Sequence, residues 1–213
     1  MAKSQSPLFG IDASGAIGDT VVYGKWKGIK YARRYVVPAN PRTAEQMKTR
    51  DVFSFLNQLW VVAPSLLKEP FAAYASGKPL TDRNAFIQQN IPNLREADDL
   101  SAFVASPGVL GGFPLTALTA TPGSGSVTAE AGVPSLPSGW TVDHVAFIIL
   151  SDQDPHEDWA GVILAQSDAT SPYSVTFTGL TAGAYRVTAY ARYTRPDGKK
   201  AYSPSRILGV TVS

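Results

Sequence analysis

The stretch LTAGAYRVTAYARYT, residues 180–194, carries the pattern on which the predicted fold of this chain depends. Polar and apolar side chains alternate from Ala184 to Thr194, and alternation with a period of two predicts a β-strand. The residues of one face are Tyr185, Val187, Ala189 and Ala191, and those of the other are Arg186, Thr188, Tyr190 and Arg192. We expect the first set to point into a hydrophobic core.

Segments with strand character, separated by turn residues, extend on both sides of this stretch. Seven strands are predicted, at Leu115–Thr121, Ser126–Ala131, Val142–Leu150, Trp159–Gln166, Ser174–Thr178, Ala184–Thr194 and Lys200–Val212. Gly123-Ser124-Gly125-Ser126 is predicted to be a flexible turn, because a phosphate-binding loop needs a helix directly after it. Seven strands of this length, spaced by turns, are typical of a β-sandwich.

The corner before the sixth strand resembles that of a fibronectin type III domain. Leu180 and Gly183 precede Tyr185 as the family's leucine and glycine precede its corner tyrosine, although Leu180 lies one residue closer than usual. The second strand has Ala129-Glu130 where the family has a core tryptophan, so we expect Trp140 to fill that space. The resemblance implies an immunoglobulin or fibronectin type III-like sandwich over residues 107–213, in which the tyrosine hydroxyl bonds back to the backbone.

A helical segment is predicted over residues 42–106. Thr43, three residues before Gln46, has the spacing of a capping box, and an apolar stripe then recurs at helical intervals up to Pro64. The stripe consists of Val52, Phe55, Leu56 and Leu59. A second capped start at Thr81 leads into an apolar stripe that we expect to end before Pro92.

Two or three short helices therefore fit this segment, and a further helix over residues 96–104 is an open alternative. Ala105-Ser106-Pro107-Gly108, followed by Gly111-Gly112, predicts a linker between the helices and the sandwich. The expected class is a multi-domain α+β protein with divisions near residues 41 and 106.

Residues 1–41 are predicted to be a basic β-hairpin docking segment. One strand begins at Thr20 and the other covers Ile29–Val36, and Gly28 supplies the positive φ that a tight turn needs. Alternation places Tyr31, Arg33 and Tyr35 on one face and Lys30, Ala32, Arg34 and Val36 on the other. Since neither face is cleanly apolar, we expect the hairpin to need another element or chain for its stability.

Residues 15–50 resemble a group of uncharacterised proteins encoded by tailed phages and prophages. The shared features are Gly15-Ala16-Ile17-Gly18-Asp19-Thr20-Val21, the arginine pair Arg33-Arg34, and Asn40-Pro41-Arg42-Thr43 before a glutamine-containing helix. Such proteins look like virion components, and phage structural proteins often carry immunoglobulin-like or fibronectin-like modules. The resemblance implies a structural protein of the phage particle.

Composition limits the chemistry open to the chain. It has no cysteine, which excludes disulfides and thiolate metal sites, and no apolar run long enough for a membrane helix. We therefore expect folding in a cytoplasm. Residues 1–50 hold nine of the nineteen Lys and Arg but three of the seventeen Asp and Glu, so the positive charge is concentrated at the N-terminus.

Two histidines restrict the catalytic alternatives. His144 lies in a predicted strand, where we expect an edge or surface position and not a catalytic base. His156 belongs to an acidic cluster, predicted to be a solvated loop, with calcium binding as the alternative. The cluster consists of Asp152, Asp154, His156, Glu157 and Asp158. We expect no enzymatic activity, cofactor or metal.

Basic and aromatic residues of the hairpin form the candidate partner-binding site. The set comprises Lys25, Trp26, Lys27, Lys30, Arg33, Arg34 and Tyr35, with Arg42 nearby. Three interpretations stay open: docking onto an acidic protein, binding of nucleic acid, and a solvated face without a partner. The leading hypothesis is a virion decoration, neck, tail or baseplate protein present in repeated or oligomeric copies. Glycan or receptor binding through exposed Trp140 and Trp159 is a further alternative.

Overall fold

A computed structural model of the protein describes residues 14–26, 28–37 and 39–213. The chain divides into two compact units, Met1–Arg42 and Thr43–Ser213. Within these described residues, the first unit holds three short strands, and the second holds three helices and nine strands. The expected α+β class with a β-sandwich is confirmed.

In the first unit, three antiparallel strands form a small sheet in the order β1-β2-β3. Their bounds are β1 Gly15–Ile17, β2 Val21–Trp26 and β3 Ile29–Arg34. The predicted β2–β3 hairpin is confirmed, and Gly28 takes the positive φ of 82° that was expected of it. Strand β1 was not predicted, because three residues are too few to show a period.

The second unit begins with three helices, α1 Ala44–Val62, α2 Ser65–Ala75 and α3 Asp82–Leu94. The hydroxyls of Thr43 and Thr81 accept from the backbone N–H groups of Gln46 and Asn84, which confirms both predicted caps. The third helix continues past Pro92 to Leu94, whose side chain is fully buried. Residues 96–104 form turns and no helix.

Nine strands follow the helices: β4 Pro107–Val109, β5 Ala117–Gly123, β6 Ser126–Gly132, β7 Thr141–Ser151, β8 Ile163–Asp168, β9 Tyr173–Thr178, β10 Gly183–Thr194, β11 Lys200–Pro204 and β12 Arg206–Val212. One sheet has the order β5-β6-β9, and the other has β4-β11-β10-β7-β8 with β12 also on β10. Strands β11 and β12 divide the last predicted strand. The sheet of β5, β6 and β9 thus faces the sheet that contains β7, β8, β10, β11 and β12. This division of the strands between two sheets is a fibronectin type III-like arrangement.

The sandwich core lies between these two sheets. Val145, Phe147 and Ile149 of β7 point into it, together with the predicted face of β10. The Tyr185 hydroxyl donates to the Thr181 carbonyl oxygen at 3.0 Å, so the predicted tyrosine corner is present. Trp140 packs edge-on against Tyr193 at the border of this core.

The helices cover the outer face of the larger sheet and share a second core with it. Ala146, Ile148 and Leu150 of β7 point to this side, so residues 145–150 are buried on both faces of the sheet. Tyr190 of β10 is fully buried there, and its hydroxyl donates to the Leu66 carbonyl oxygen of α2. The helices and the sandwich therefore form one unit, and the expected division at residue 106 does not separate two domains.

The predicted linker is part of this unit. Ala105 and Ser106 are buried, and the residues after them form β4, which pairs with β11. The Ala105 N–H donates to the Ser205 hydroxyl, and the Ser205 N–H donates to the Ser106 carbonyl oxygen. Small residues at this position allow close packing beside a strand and do not provide a flexible connection.

Candidate functional site

The strands of the small N-terminal sheet carry five of the eight predicted partner-binding residues. Tyr35 directly follows β3, Arg42 lies further along the chain, and Lys27 lies outside the described residues. Paired residues of antiparallel strands put their side chains on the same face, so the register assigns each residue to a face. The register pairs Lys25 with Lys30 and Val21 with Arg34. Lys25, Lys30 and Arg34 therefore share one face.

We call this side the lysine face. Its residues are Ile17, Val21, Tyr23, Lys25, Lys30, Ala32 and Arg34. Val21, Tyr23 and Ala32 are half-buried at its centre, while Lys25 and Arg34 are exposed. The face thus has an apolar centre with cations at its ends.

The opposite side, the tryptophan face, carries fewer charges and more aromatic surface. Its residues are Ala16, Val22, Gly24, Trp26, Ile29, Tyr31 and Arg33. The Tyr31 ring lies across Gly24, where a Cβ atom would come within 2.8 Å of the ring. Trp26 is 65% exposed and Ile29 is 47% exposed. A large apolar area of this sheet thus faces solvent.

The side chains of this sheet are less buried than those in the cores of the larger unit. Within residues 14–26, 28–37 and 39–42, every side chain is half-buried or exposed, and none is fully buried. Strand β3 lies at one edge of the sheet, so the backbone groups on its outer side are not used in the sheet's own ladder. Among the described strands, none pairs with this outer side of β3.

The predicted site residues do not converge on one surface. Arg33 and Tyr35 alternate onto the side of Trp26, away from the three cations of the lysine face, and Arg42 follows the sheet at the end of the unit. The Tyr35 N–H donates to the Thr20 carbonyl oxygen at 2.7 Å and so extends the pairing beyond β3. Alternation in the sequence correctly assigned the charged residues of β3 to opposite faces, and the register shows which residue of β2 lies on the same face as each of them.

A second charged cluster lies where helix α2 covers the sheet. Arg192 of β10 bonds to Glu69 of α2 and donates to Asp143 at 3.1 Å, and Lys200 also donates to Asp143 at 2.7 Å. Of these groups, Glu69 and Arg192 line part of a groove of about 440 Å³ together with His144. Because its acidic and basic side chains bond to one another, the cluster ties the helix to the sheet.

His144 contradicts the expectation of an edge or surface position. It lies on β7, between β8 and β10, and its side chain is 12% exposed. Burial and the positive charge of Arg192 lower the pKa of His144, while Glu69 and Asp143 act in the opposite direction. The neutral form is therefore favoured in the folded protein.

The acidic loop is only in part the solvated loop that was predicted, because Glu157 and Asp158 are exposed whereas Asp152 is half-buried and hydrogen-bonded. Asp152 accepts from the Leu100 N–H at 3.0 Å and from Arg186 at 2.8 Å, and Asp158 accepts from the Gln58 side chain at 2.6 Å. These bonds connect the loop to α1, to the turn after α3 and to β10. The loop holds the helical layer against the sandwich.

His156 connects the same loop to the end of helix α3. Its ring nitrogens lie 2.8 Å from a carboxylate oxygen of Asp154 and 3.0 Å from the Arg95 carbonyl oxygen. Both partners are acceptors, so both nitrogens donate when the ring is protonated. Burial acts to lower the pKa of His156, but these two hydrogen bonds and the charge of Asp154 raise it overall.

The metal and glycan alternatives find little support in this geometry. Within the described residues, no group of three or more His, Cys, Asp or Glu side chains is placed to hold a metal ion. Trp140 and Trp159 are half-buried and not exposed, because they pack against Phe113 and Phe55 respectively. The expectation of two exposed tryptophans for glycan stacking is therefore wrong.

Comparisons with known proteins show likeness to part of the chain. No family model and no curated protein matches it. Among solved structures, a myokine structure is 13% identical with a TM-score of 0.34, covering 48% of this chain and 100% of that one. The fibronectin(III)-like modules of Clostridium thermocellum CbhA are 24% identical with a TM-score of 0.28, covering 46% and 92%. At these scores, the fold assignment rests on the strand order described above.

None of the described helices has the length and apolar character needed to cross a membrane.

Proposed function

We propose that the protein is a non-catalytic structural component of a phage particle, which docks through its N-terminal sheet and presents a helix-backed β-sandwich. One observation carries the docking role: the described part of residues 14–42 has no fully buried side chain. A sheet of three short strands without a core is not stable alone in water. The virion setting is supported by the resemblance of residues 15–50 to phage-encoded proteins.

Assembly would proceed by completing this sheet. A partner strand added beside β3 satisfies the backbone groups at the sheet edge, and apolar contacts cover Ile29 and Trp26, which are both exposed. Particles are built from repeated subunits, so we propose that the protein occupies them in several copies, with other virion proteins as partners. Its location would be the virion, after assembly in the host cytoplasm.

The larger unit supports a scaffold role because its histidines and charged side chains make structural contacts. His144 and Arg192 lie at the helix–sheet contact, and His156 holds the loop that joins the two layers. Each potential acid or base in these clusters is thus placed where it contributes to packing. We propose that the unit acts as a structural scaffold, and that its role depends on its shape and not on catalysis.

Removal of residues 1–42 tests the docking role. The shortened protein, Thr43–Ser213, should fold with its circular dichroism and unfolding midpoint nearly unchanged but should be absent from purified particles. A full-length protein with Phe53→Ser, an exposed change on α1, serves as a control that should still be incorporated. Equal incorporation of the shortened and full-length proteins would disprove the proposal.

A further inference from the structure

The strands β4 and β8, at two ends of the larger sheet, differ in how well they resist pairing with a further strand. Strand β4 has three residues and begins with Pro107, which has no N–H group to donate. Strand β8 has six residues, and none of them is proline, lysine or arginine. Short length, proline and lysine are the usual features that protect a sheet edge. Strand β8 has none of them.

All the strand pairing of β8 lies on one of its sides. Each residue from Ile163 to Asp168 is paired with β7, and no other described strand pairs with the opposite side. In the part of the chain that the structure describes, no turn or loop makes a backbone hydrogen bond to these six residues either. The outer row of backbone groups can therefore form a ladder with an added strand.

Apolar side chains are exposed near this edge in both layers. On the sandwich side, Leu164 is 38% exposed, and Val162, just before the strand, is 45% exposed. Gln58 of α1 accepts from the Trp159 N–H at 2.8 Å, so this flank of α1 lies beside the loop that leads into β8. Val62 follows Gln58 by one helical turn and is 53% exposed. A partner at β8 would thus cover apolar surface as well as pair backbone groups.

The charge of β8 fits a second copy of the same strand. Asp168 is the one charged residue of the six, and its carboxylate accepts from the N–H groups of Thr170 and Ser174 in the loop that follows. In two β8 strands paired antiparallel about a two-fold axis at Ala165, the two Asp168 carboxylates lie six residues apart, which is about 20 Å. This distance exceeds the Debye length of about 8 Å, so pairing brings no like charges together.

The two faces of the sheet fix where the axis can lie. Residues opposite each other share a face, and residues of one face are two apart, so the axis passes through a residue. The central choices are Ala165 and Gln166. With the axis at Gln166, Leu164 would lie opposite the Asp168 carboxylate of the other copy. With the axis at Ala165, Leu164 lies opposite the uncharged Gln166, which favours this register.

We propose that a second copy of the chain pairs antiparallel along β8, about a two-fold axis at Ala165, and joins the two larger sheets into one. The inference goes beyond the proposed docking role, because it concerns the sandwich and not the N-terminal sheet. Six paired residues are fewer than the roughly 20–30 residues that each partner contributes to a standard interface. The dimer should therefore be weak and depend on concentration.

Sedimentation velocity of the full-length protein over a concentration series tests the association. The average mass should rise towards twice that of the monomer. Leu164→Glu should raise the dissociation constant about tenfold, because it puts a carboxylate diagonal to Asp168 and to its own counterpart in the other copy. Leu208→Glu, on β12 of the same sheet, is the matched control: Leu208 is 39% exposed, and the change should leave association within twofold of the wild type. Equal urea midpoints of the two variants would show that both fold.

Disulfide cross-linking tests the register, because the chain has no cysteine of its own. Residues directly opposite each other have Cα atoms about 4.5–5.5 Å apart, within the range that a disulfide spans. A mixture of the Leu164→Cys and Gln166→Cys proteins should form a cross-linked dimer under mild oxidation. Either protein alone should not, because each thiol is then diagonal to its counterpart, with Cα atoms about 7–8 Å apart.

Three results would overturn the inference. The first is a protein that stays monomeric at all concentrations, and the second is an equal effect of Leu164→Glu and Leu208→Glu. The third is cross-linking of either cysteine variant alone as fast as that of the mixture. A monomeric protein that binds a lysine–valine peptide, more tightly still after Leu164→Glu, would assign this edge to a basic partner and not to a second copy.

Discussion

Strand β7 of the sandwich and strand β3 of the N-terminal sheet show two outcomes of the same local structure. Both are antiparallel strands, and both alternate their side chains between two faces. In β7, residues 145–150 are buried on both sides, by the second sheet and by the helices. In β3, no side chain is fully buried. Strand formation thus depends on local sequence, but stability depends on what covers each face.

Burial explains the difference in energy between the two regions. A fully buried valine, leucine, isoleucine or phenylalanine contributes about 1.5–3 kcal/mol relative to an exposed one, and β7 has five such residues between Val145 and Leu150. The N-terminal sheet has none among its described residues. We infer that one region is stable within the chain and that the other acquires stability when it is bound.

Substitutions on the two faces of β7 should give the largest effects. Ile148→Ala opens space on the helix side and Ile149→Ala opens space on the sandwich side, and each should lower the free energy of unfolding by about 2–5 kcal/mol. Both variants should show one cooperative transition by circular dichroism and tryptophan fluorescence, because the helices and the sandwich share strand β7. Two separate transitions, with Ile148→Ala affecting one alone, would show that the helices fold independently.

The tyrosine corner should have the next largest effect. Tyr185→Phe removes the hydroxyl that donates to the Thr181 carbonyl oxygen and should cost about 1–2 kcal/mol in urea unfolding. Thr181→Val removes the neighbouring hydroxyl but keeps the carbonyl oxygen, so its cost should be smaller. If Thr181→Val costs as much as Tyr185→Phe, the backbone bond is not the source of the stability.

The two histidines should change stability in opposite directions as pH falls through the region of their titration. The pKa of His144 is lowered in the folded state, so the unfolded chain binds its proton first and the contribution of His144 to stability falls below about pH 6.5. The pKa of His156 is raised, so its contribution is complete below about pH 6.5 and is lost as pH rises through the folded-state pKa.

Unfolding free energies measured at intervals between pH 5 and pH 8 check both signs. His144→Gln should remove part of the loss of stability on acidification, and His156→Gln should remove part of the loss on alkalinisation. A steeper acid loss in the His144→Gln protein would reverse the assignment for His144. An unchanged profile in the His156→Gln protein would show that the contacts with Asp154 and Arg95 do not favour the protonated ring.

The smallest effect is expected in the N-terminal sheet. Val22→Ala removes two methyl groups from a half-buried position on β2 and should change the unfolding transition of Thr43–Ser213 by less than about 0.5 kcal/mol. The measurement is the same urea titration applied to the full-length protein. A loss as large as that of Ile149→Ala would mean that the sheet contributes to the main core.

Much of the sandwich could be predicted because its local signals agree with its tertiary structure. Alternation located β10, turn residues separated most strands, and Thr43 and Thr81 marked two helix starts. Helix α2 was not located, since Pro64 and Pro70 both indicate interruption. Pro70 lies within the helix between buried Leu67 and Phe71, so packing outweighs the loss of one backbone bond.

The contacts that join distant parts of the chain could not be predicted. Asp152 and His156 are polar residues in a loop, and their sequence neighbours give no sign that Leu100, Arg186 and Arg95 will supply their partners. The predicted linker failed for the same reason, because small residues fit both a flexible connection and a close contact with a strand. Alternation predicted the two faces of β3, whereas the register was needed to show that Lys25 of β2 shares a face with Lys30 and Arg34.

Amide hydrogen exchange of the full-length protein, free and in purified particles, tests most directly whether the N-terminal sheet is completed by a partner. We predict that amides of β2 and β3 exchange rapidly in the free protein and become protected in particles, while those of β7 exchange slowly in both. Protection of β2 and β3 equal to that of β7 in the free protein would contradict the account.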